Sequence, residues 1–157
     1  MKSFTRAPPI KKSILGIIFR IYLTNFFLTY SDHSRDIKLY LEVENYKLDV
    51  NTSIPLGLVV NELISNSLKH AFPNNRKGVI EIKFYKENNK YTLLVADDGI
   101  GLPEDFKLLN ANSMGLMLIN SLAEQIEGEL TLDTRNGTCF EITFKELEFT
   151  KNHKGND

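Results

Sequence analysis

Asn61-Glu62-Leu63-Ile64-Ser65-Asn66-Ser67-Leu68-Lys69-His70, read with the later turn Asp97-Asp98-Gly99-Ile100-Gly101, decides how this chain folds. On a helix of 3.6 residues per turn, Glu62, Asn66 and Lys69 project from one side, with His70 at its margin. The opposite side carries Leu56, Val60, Leu63, Ile64, Ser67 and Ala71, all apolar or small, and is predicted to pack on a sheet. The polar side assembles an acid, an amide oxygen and a cation, the set that holds a metal-bound polyphosphate. One wall for the core and another for chemistry points to a nucleotide site.

Working outward, Ile37, Leu39, Leu41 and Val43 alternate with polar residues and predict a half-buried strand before this helix. Thr52 or Ser53 is a candidate N-cap, with Pro55 in the first turn, and Pro73-Asn74-Asn75 should stop the helix after about Phe72. Two strands follow, Ile80, Ile82 and Phe84 sharing a face of the first and Leu93 and Val95 lying in the second. Glu87-Asn88-Asn89-Lys90 joins them as a hairpin. The second strand delivers Asp97 at its end. Residues 102–113 lack periodicity and read as a mobile loop with a short turn near Phe106. A helix from about Met114 to Ile126 presents Leu118, Leu122 and Ile126, and Gly128 should end it. Leu130 and Leu132 mark a further strand. Arg135-Asn136-Gly137 is a hairpin turn, and Phe140, Ile142 and Phe144 alternate through the last strand. Strands meeting in hairpins exclude a doubly wound fold. The pattern predicts a two-layer α/β sandwich: a mixed, largely antiparallel sheet with helices on one face.

The 157 residues suffice for one domain with a real core. A net charge of −1 gives no basic footprint for nucleic acid. The single cysteine, Cys139, excludes an internal disulfide and a multi-cysteine metal site; it reads as a small buried hydrophobe, and fits a cytoplasmic setting. Ile14 to Tyr30 is the one stretch resembling a membrane span. Its 17 residues, interrupted by Arg20, fall short of the roughly 20 a bilayer needs, so a helix packing on the domain or a partner is expected.

Each chemical group has an assignable task. Magnesium keeps several waters and needs few protein oxygens, and Asn66 offers one without adding negative charge beside a triphosphate. Glu62, one turn earlier, could take a proton. Lys69 supplies a point charge for phosphate. Asp97 could accept a hydrogen bond from a purine amine, with Gly99 and Gly101 letting the backbone approach. Taken singly these are ordinary surface features; their order along the chain is what carries the reading.

That ordered series resembles the GHKL superfamily of gyrase-type ATPases, Hsp90 chaperones, histidine kinases and MutL repair proteins. Glu62-Leu63-Ile64-Ser65-Asn66 is similar to its N box, Asp97-Asp98-Gly99-Ile100-Gly101 to its G1 box, Met114-Gly115-Leu116-Met117-Leu118 to its G2 box, and Gly137-Thr138 to its terminal Gly-Thr. Asn61 through Phe72 most resembles the catalytic domain of sensor histidine kinases, in the subgroup with the second type of dimerisation region. The resemblance implies a Bergerat-type ATP-binding fold with ATP and Mg2+ as ligands. It implies that Asn66 binds magnesium, Lys69 a phosphate, and that His70 lies beside adenine or ribose. It implies that Asp97 takes the adenine amine, that Gly99 and Gly101 shape its pocket, and that residues 102–113 form a lid. Gly115 and Leu116 would meet phosphate through their backbone at a helix N-terminus, and Thr138 would join a water network near adenine. The implied activity is transfer of the γ-phosphoryl to histidine; ATP hydrolysis and an anti-sigma-factor-like serine kinase or regulator are the alternatives.

Two departures stand out. Ser113 occupies the place of the first G2 glycine. The histidines are His33, His70 and His153, none in a plausible receiver helix. The chain is therefore expected to comprise a lead-in and helix over 1–36, as the remnant of a linker to a missing dimerisation domain. An ATP-binding domain over 37–148 and a disordered tail over 149–157 would follow. Its expected partners are a histidine-bearing dimerisation domain and a response regulator.

Overall fold

The computed structural model describes residues 13–30, 36–103, 105–108 and 113–146, with side chains from Tyr22 onward except Tyr30. The lead-in before Ser13, the tail after Glu146 and positions 104 and 109–112 of the expected lid lie outside these residues. Seven strands and three helices follow in chain order: β1 (Ser13–Ile14), α1 (Leu15–Tyr30), β2 (Ile37–Val43), β3 (Lys47–Leu48), α2 (Val50–Asn66), β4 (Gly78–Glu87), β5 (Lys90–Asp97), α3 (Met114–Gln125), β6 (Glu129–Asp133) and β7 (Thr138–Phe144). Five strands form one sheet in the order β2-β4-β5-β7-β6, with β1 and β3 making a separate two-stranded ribbon. β2 runs parallel to β4, and the other pairs are antiparallel. The predicted two-layer α/β sandwich is thus the observed fold.

Alternation builds the sheet. Ile80, Ile82, Phe84, Leu93, Val95, Phe140, Ile142 and Phe144 are buried on the face that meets the helices. Lys83, Tyr85, Leu94 and Glu141 on the other face are only partly covered. The β4–β5 hairpin turns through Asn88 and Asn89, both at positive φ (48° and 62°), the left-handed conformation asparagine tolerates best after glycine. α2 buries Leu56, Val59, Val60, Leu63 and Ile64. α1 docks beside it through Leu23 and Phe27, whose burial contributes about 1.5–3 kcal/mol each. Leu28, on the same helix, is exposed. Among the described residues no helix is long and apolar enough to cross a membrane.

Five local expectations are corrected. The N-cap of α2 is Asp49, whose Oδ1 accepts from Asn51 N–H at 2.8 Å, and not Thr52 or Ser53. Pro55 therefore lies beyond the first turn. α3 buries Ile119, Leu122, Ala123 and Ile126, leaving Leu118 exposed. Its end is made by Glu127 at φ 54°, and Gly128 follows, donating to the Ala123 carbonyl at 2.8 Å. Cys139 is only half-buried, on the face without helices.

The last correction bears on function. The α-helix does not continue to Phe72: from Ser67 to Ala71 the chain forms a π-helical turn. A π turn has more residues per turn than an α turn, so each residue advances less around the axis. Lys69 thereby falls further behind Asn66, and His70 comes almost into line with it. Two contacts hold this turn in place. Ile100 N–H donates to the Ala71 carbonyl at 3.0 Å, and Phe72, fully buried, packs where a Cβ on Gly78 would sit.

Candidate functional site

A cavity of about 300 Å³ opens between α2, the end of β5, the start of β7 and the start of α3. That volume is at the lower end for small-molecule sites. Leu63, Val95 and Phe140 give it an apolar floor, and Asn66, Ser67, His70, Asp97, Ser113 and Thr138 supply its polar groups. An apolar slot with a few convergent polar groups suits a flat heterocycle carrying polar edges.

Asp97 is the best-held of these groups. It is 7% exposed, at the end of β5, and its carboxylate accepts three hydrogen bonds. Gly99 N–H and Thr138 N–H reach Oδ1 at 3.0 and 3.3 Å, and Ser67 Oγ donates to Oδ2 at 2.7 Å. Two glycines make this possible. A Cβ on Gly99 would lie 2.4 Å from both Cβ and O of Ala71, so the turn can press against α2 only without a side chain. Gly137 has φ 93°, and a Cβ there would lie 2.0 Å from the Asp97 carbonyl oxygen. Behind them, Asp98 Oδ1 accepts from Val79 N–H at 2.7 Å, and Arg76 Nη2 donates to the Asp98 carbonyl at 2.9 Å. The acidic-glycine turn is thus fastened to β4 on one side and to the π turn after α2 on the other.

At the other end, Ser113 caps α3, its Oγ accepting from Leu116 N–H at 3.2 Å. This gives the residue standing in place of the first glycine a structural task, and it engages one of the two amides expected to meet phosphate. Gly115 faces α2 closely: a Cβ there would sit 3.0 Å from Glu62 Oε2 and 3.9 Å from the Asn66 amide atoms.

Of the residues singled out in the sequence, Asn66, His70, Asp97, Gly101, Leu116 and Thr138 line the cavity. Gly99 lies behind Asp97, and Glu62 and Gly115 meet each other beside Asn66. Lys69 is exposed and does not line the cavity, as the π turn dictates. Sequence reasoning missed Ser67, which it assigned to the apolar wall, and the cap made by Ser113. A hydroxyl on an otherwise apolar stripe was the available signal for Ser67. Among the described residues no group of three or more His, Cys, Asp or Glu side chains could hold a metal alone.

Comparison with known proteins agrees with this geometry. Residues 51–148 match the model for the histidine kinase-, DNA gyrase B- and HSP90-like ATPases. Blue-light-activated histidine kinase 2 of Erythrobacter litoralis is 31% identical over 103 residues, which cover 65% of this chain and 30% of that kinase. Sensor histidine kinase PdtaS of Mycobacterium tuberculosis is 33% identical over 85 residues, 53% of this chain and 17% of that protein. The chain therefore spans less than a third of the length of either relative. The solved histidine kinase domain of the Erythrobacter litoralis EL346 blue-light-activated kinase superposes with a TM-score of 0.78 at 23% identity, covering 89% of this chain and 66% of that one. That likeness concerns the fold. The family match takes in well over half of the chain and every part of the cavity wall, and the protein belongs to the histidine kinase-, DNA gyrase B- and HSP90-like ATPase family.

Proposed function

We propose that this domain binds Mg-ATP and passes the γ-phosphoryl to a histidine on a dimerisation domain, in a two-component pathway completed by a response regulator. The observation that carries the reading is that Asp97 and Asn66, from different elements, line one cavity with an apolar floor. The purine lies on Leu63, Val95 and Phe140, and its amine donates to Asp97. Thr138 contributes to the polar edge around the ring, and His70 flanks the ring or ribose. Gly101 leaves the backbone free to approach.

The phosphates run toward Gly115 and Leu116 at the start of α3, where helix N–H groups favour anions. The Leu116 amide must exchange its bond to Ser113 for one to phosphate. Lys69, the residue before cavity-lining His70, adds a flexible positive charge. The donor set fits magnesium, a hard cation that takes oxygen: the Asn66 amide oxygen would hold it with phosphate and water, and it would neutralise charge on the triphosphate. In the transfer, the bond from the γ-phosphorus to the bridging oxygen breaks, leaving ADP, and a P–N bond forms to the receiver imidazole. Glu62, beside Gly115, accepts the proton that imidazole releases. Such transfer rests on positioning and charge compensation more than on covalent help. A supply of ATP implies a cytoplasmic site of action.

The sensor histidine kinases among the relatives favour this activity over hydrolysis for its own sake. The test is a calorimetric titration of the 157-residue chain with Mg-ATP, then addition of a histidine-bearing dimerisation domain and labelled ATP. Binding followed by acid-labile, base-stable labelling of that domain is the expected result. Absence of binding would refute the proposal at its root.

A further inference from the structure

The Ser67 hydroxyl is a polar group where packing alone would favour alanine. It lies on the buried stripe of the helix, 7% exposed, between Leu63 and Ala71. An unbonded hydroxyl there would be unfavourable, and its bond goes to a functional group: Oδ2 of Asp97, at 2.7 Å. Oδ1 of the same carboxylate already accepts two backbone N–H groups, from Gly99 and Thr138. An oxygen of this kind has two lone-pair sites, so Oδ1 is filled. The carboxylate can offer the cavity only the second lone pair of Oδ2, and Ser67 decides which way that lone pair is directed. The serine proton points at Asp97, so the lone pairs of Oγ are also left for the cavity. At this corner both groups present acceptors.

We infer that Ser67 is a positioning residue for base selection: it orients Asp97 so that the cavity takes a purine with an amine at C6 and rejects one with a carbonyl there. The inference rests on the nucleotide-binding reading above and adds to it the source of base specificity. A purine carbonyl would face two acceptors with no hydrogen between them. Without the serine hydroxyl, Oδ2 loses the one side-chain restraint it has among the described residues, and the carboxylate can turn to let water bridge to a carbonyl.

ADP and IDP differ at C6, amine against carbonyl, and at N1, where the carbonyl form carries a hydrogen, so the change in the ratio of their affinities between wild type and variant reads this effect. Both are titrated calorimetrically, with magnesium, into the wild-type chain and into Ser67→Ala and Ser67→Thr, each variant being checked by thermal melting. The wild type should prefer ADP. Ser67→Ala should lower the ADP-over-IDP preference roughly tenfold, the scale set by one charge-assisted hydrogen bond. Ser67→Thr, which keeps the hydroxyl, should retain most of the preference. If Ser67→Ala does not fold, Ser67→Cys, a poor donor of similar size, is read in its place. An unchanged ratio in a folded variant, including an equal loss of both affinities, would overturn the role of Ser67 while leaving nucleotide binding intact. A wild-type chain that binds neither nucleotide would overturn the nucleotide reading itself, and this inference with it.

Discussion

Replacing Asp97 by asparagine exchanges one acceptor oxygen for an NH2 group at almost constant volume, and the surrounding bonds dictate where each atom goes. Oδ1 faces two backbone N–H groups, from Gly99 and Thr138, which cannot turn away. The amide oxygen must therefore take that position, and the NH2 must take the place of Oδ2, opposite Ser67. The serine hydroxyl can rotate and accept, so the variant should fold. Its cost is the weakening of three charge-assisted bonds to neutral ones, about 1 kcal/mol each, or about 3 kcal/mol of stability. Binding suffers too. The purine amine loses a charged acceptor and meets an N–H donor, a penalty of about 3 kcal/mol, or a ~100-fold rise in Kd for ADP. The same NH2 should welcome a C6 carbonyl, so IDP should lose little and become the preferred ligand. Calorimetric titration of the Asp97→Asn chain with both nucleotides, beside urea unfolding, measures the two effects separately. An Asp97→Asn variant that still binds ADP within about threefold of wild type would refute the assignment of Asp97 to the base.

Three further outcomes are expected. Asn66→Ala should bind ATP with the same affinity with and without magnesium, whereas the wild type should gain from the metal; a metal-dependent gain that survives in the variant removes Asn66 from that role. Gly137→Ala forces a Cβ to within 2.0 Å of the Asp97 carbonyl at φ 93°, so it should cost about 3 kcal/mol and lower the Tm by on the order of 10 °C, read by calorimetry. Arg135 donates to both carboxylate oxygens of Asp133 and holds its pKa down to about 2, from an ordinary 3.8. A depressed carboxylate favours the fold above its ordinary value and loses that contribution as pH falls through about 2. In Arg135→Ala the NMR titration of the Asp133 carboxyl should move up toward the ordinary value and stop short of it, because the backbone N–H of residue 135 still donates to Oδ1; since the pair is exposed, high salt should move the wild-type value the same way.

Strand alternation and turn chemistry were legible because they are local. Ile80-x-Ile82-x-Phe84, the Asn88-Asn89 turn and Gly137 each state their conformation within a few residues. The acidic-glycine turn and the Asn66 helix were legible as a candidate site for another reason, since their residue types are hard to explain by packing. The misses were long-range. Nothing within residues 61–72 announces a π turn; it is held by an N–H from Ile100 and by the fit of Phe72 against Gly78. The place of Lys69 and His70 around the cavity followed from that turn, so a straight helical wheel did not show that His70 lines the cavity and Lys69 does not. Ser67 read as part of the apolar wall because its partner arrives 30 residues later at the end of another strand. Asp49 competed with Thr52 and Ser53 as cap, and all three are good caps by residue type. Choosing among them required the geometry of β3, a two-residue strand too short to be read from pattern.

The Asn88–Asn89 turn stands at the far end of β5 from Asp97, eight residue steps from Asn89 and so about 26 Å from the cavity along the strand. The Asp97–Gly101 segment tolerates no extra residue, since its contacts with Val79 and Ala71 are both backbone registers. The hairpin tip has no such obligation. A fluorophore, an affinity tag or a whole inserted module placed between Asn88 and Asn89 should leave the nucleotide affinity of the wild type unaltered, which makes that tip the natural attachment point for following ligand binding in solution.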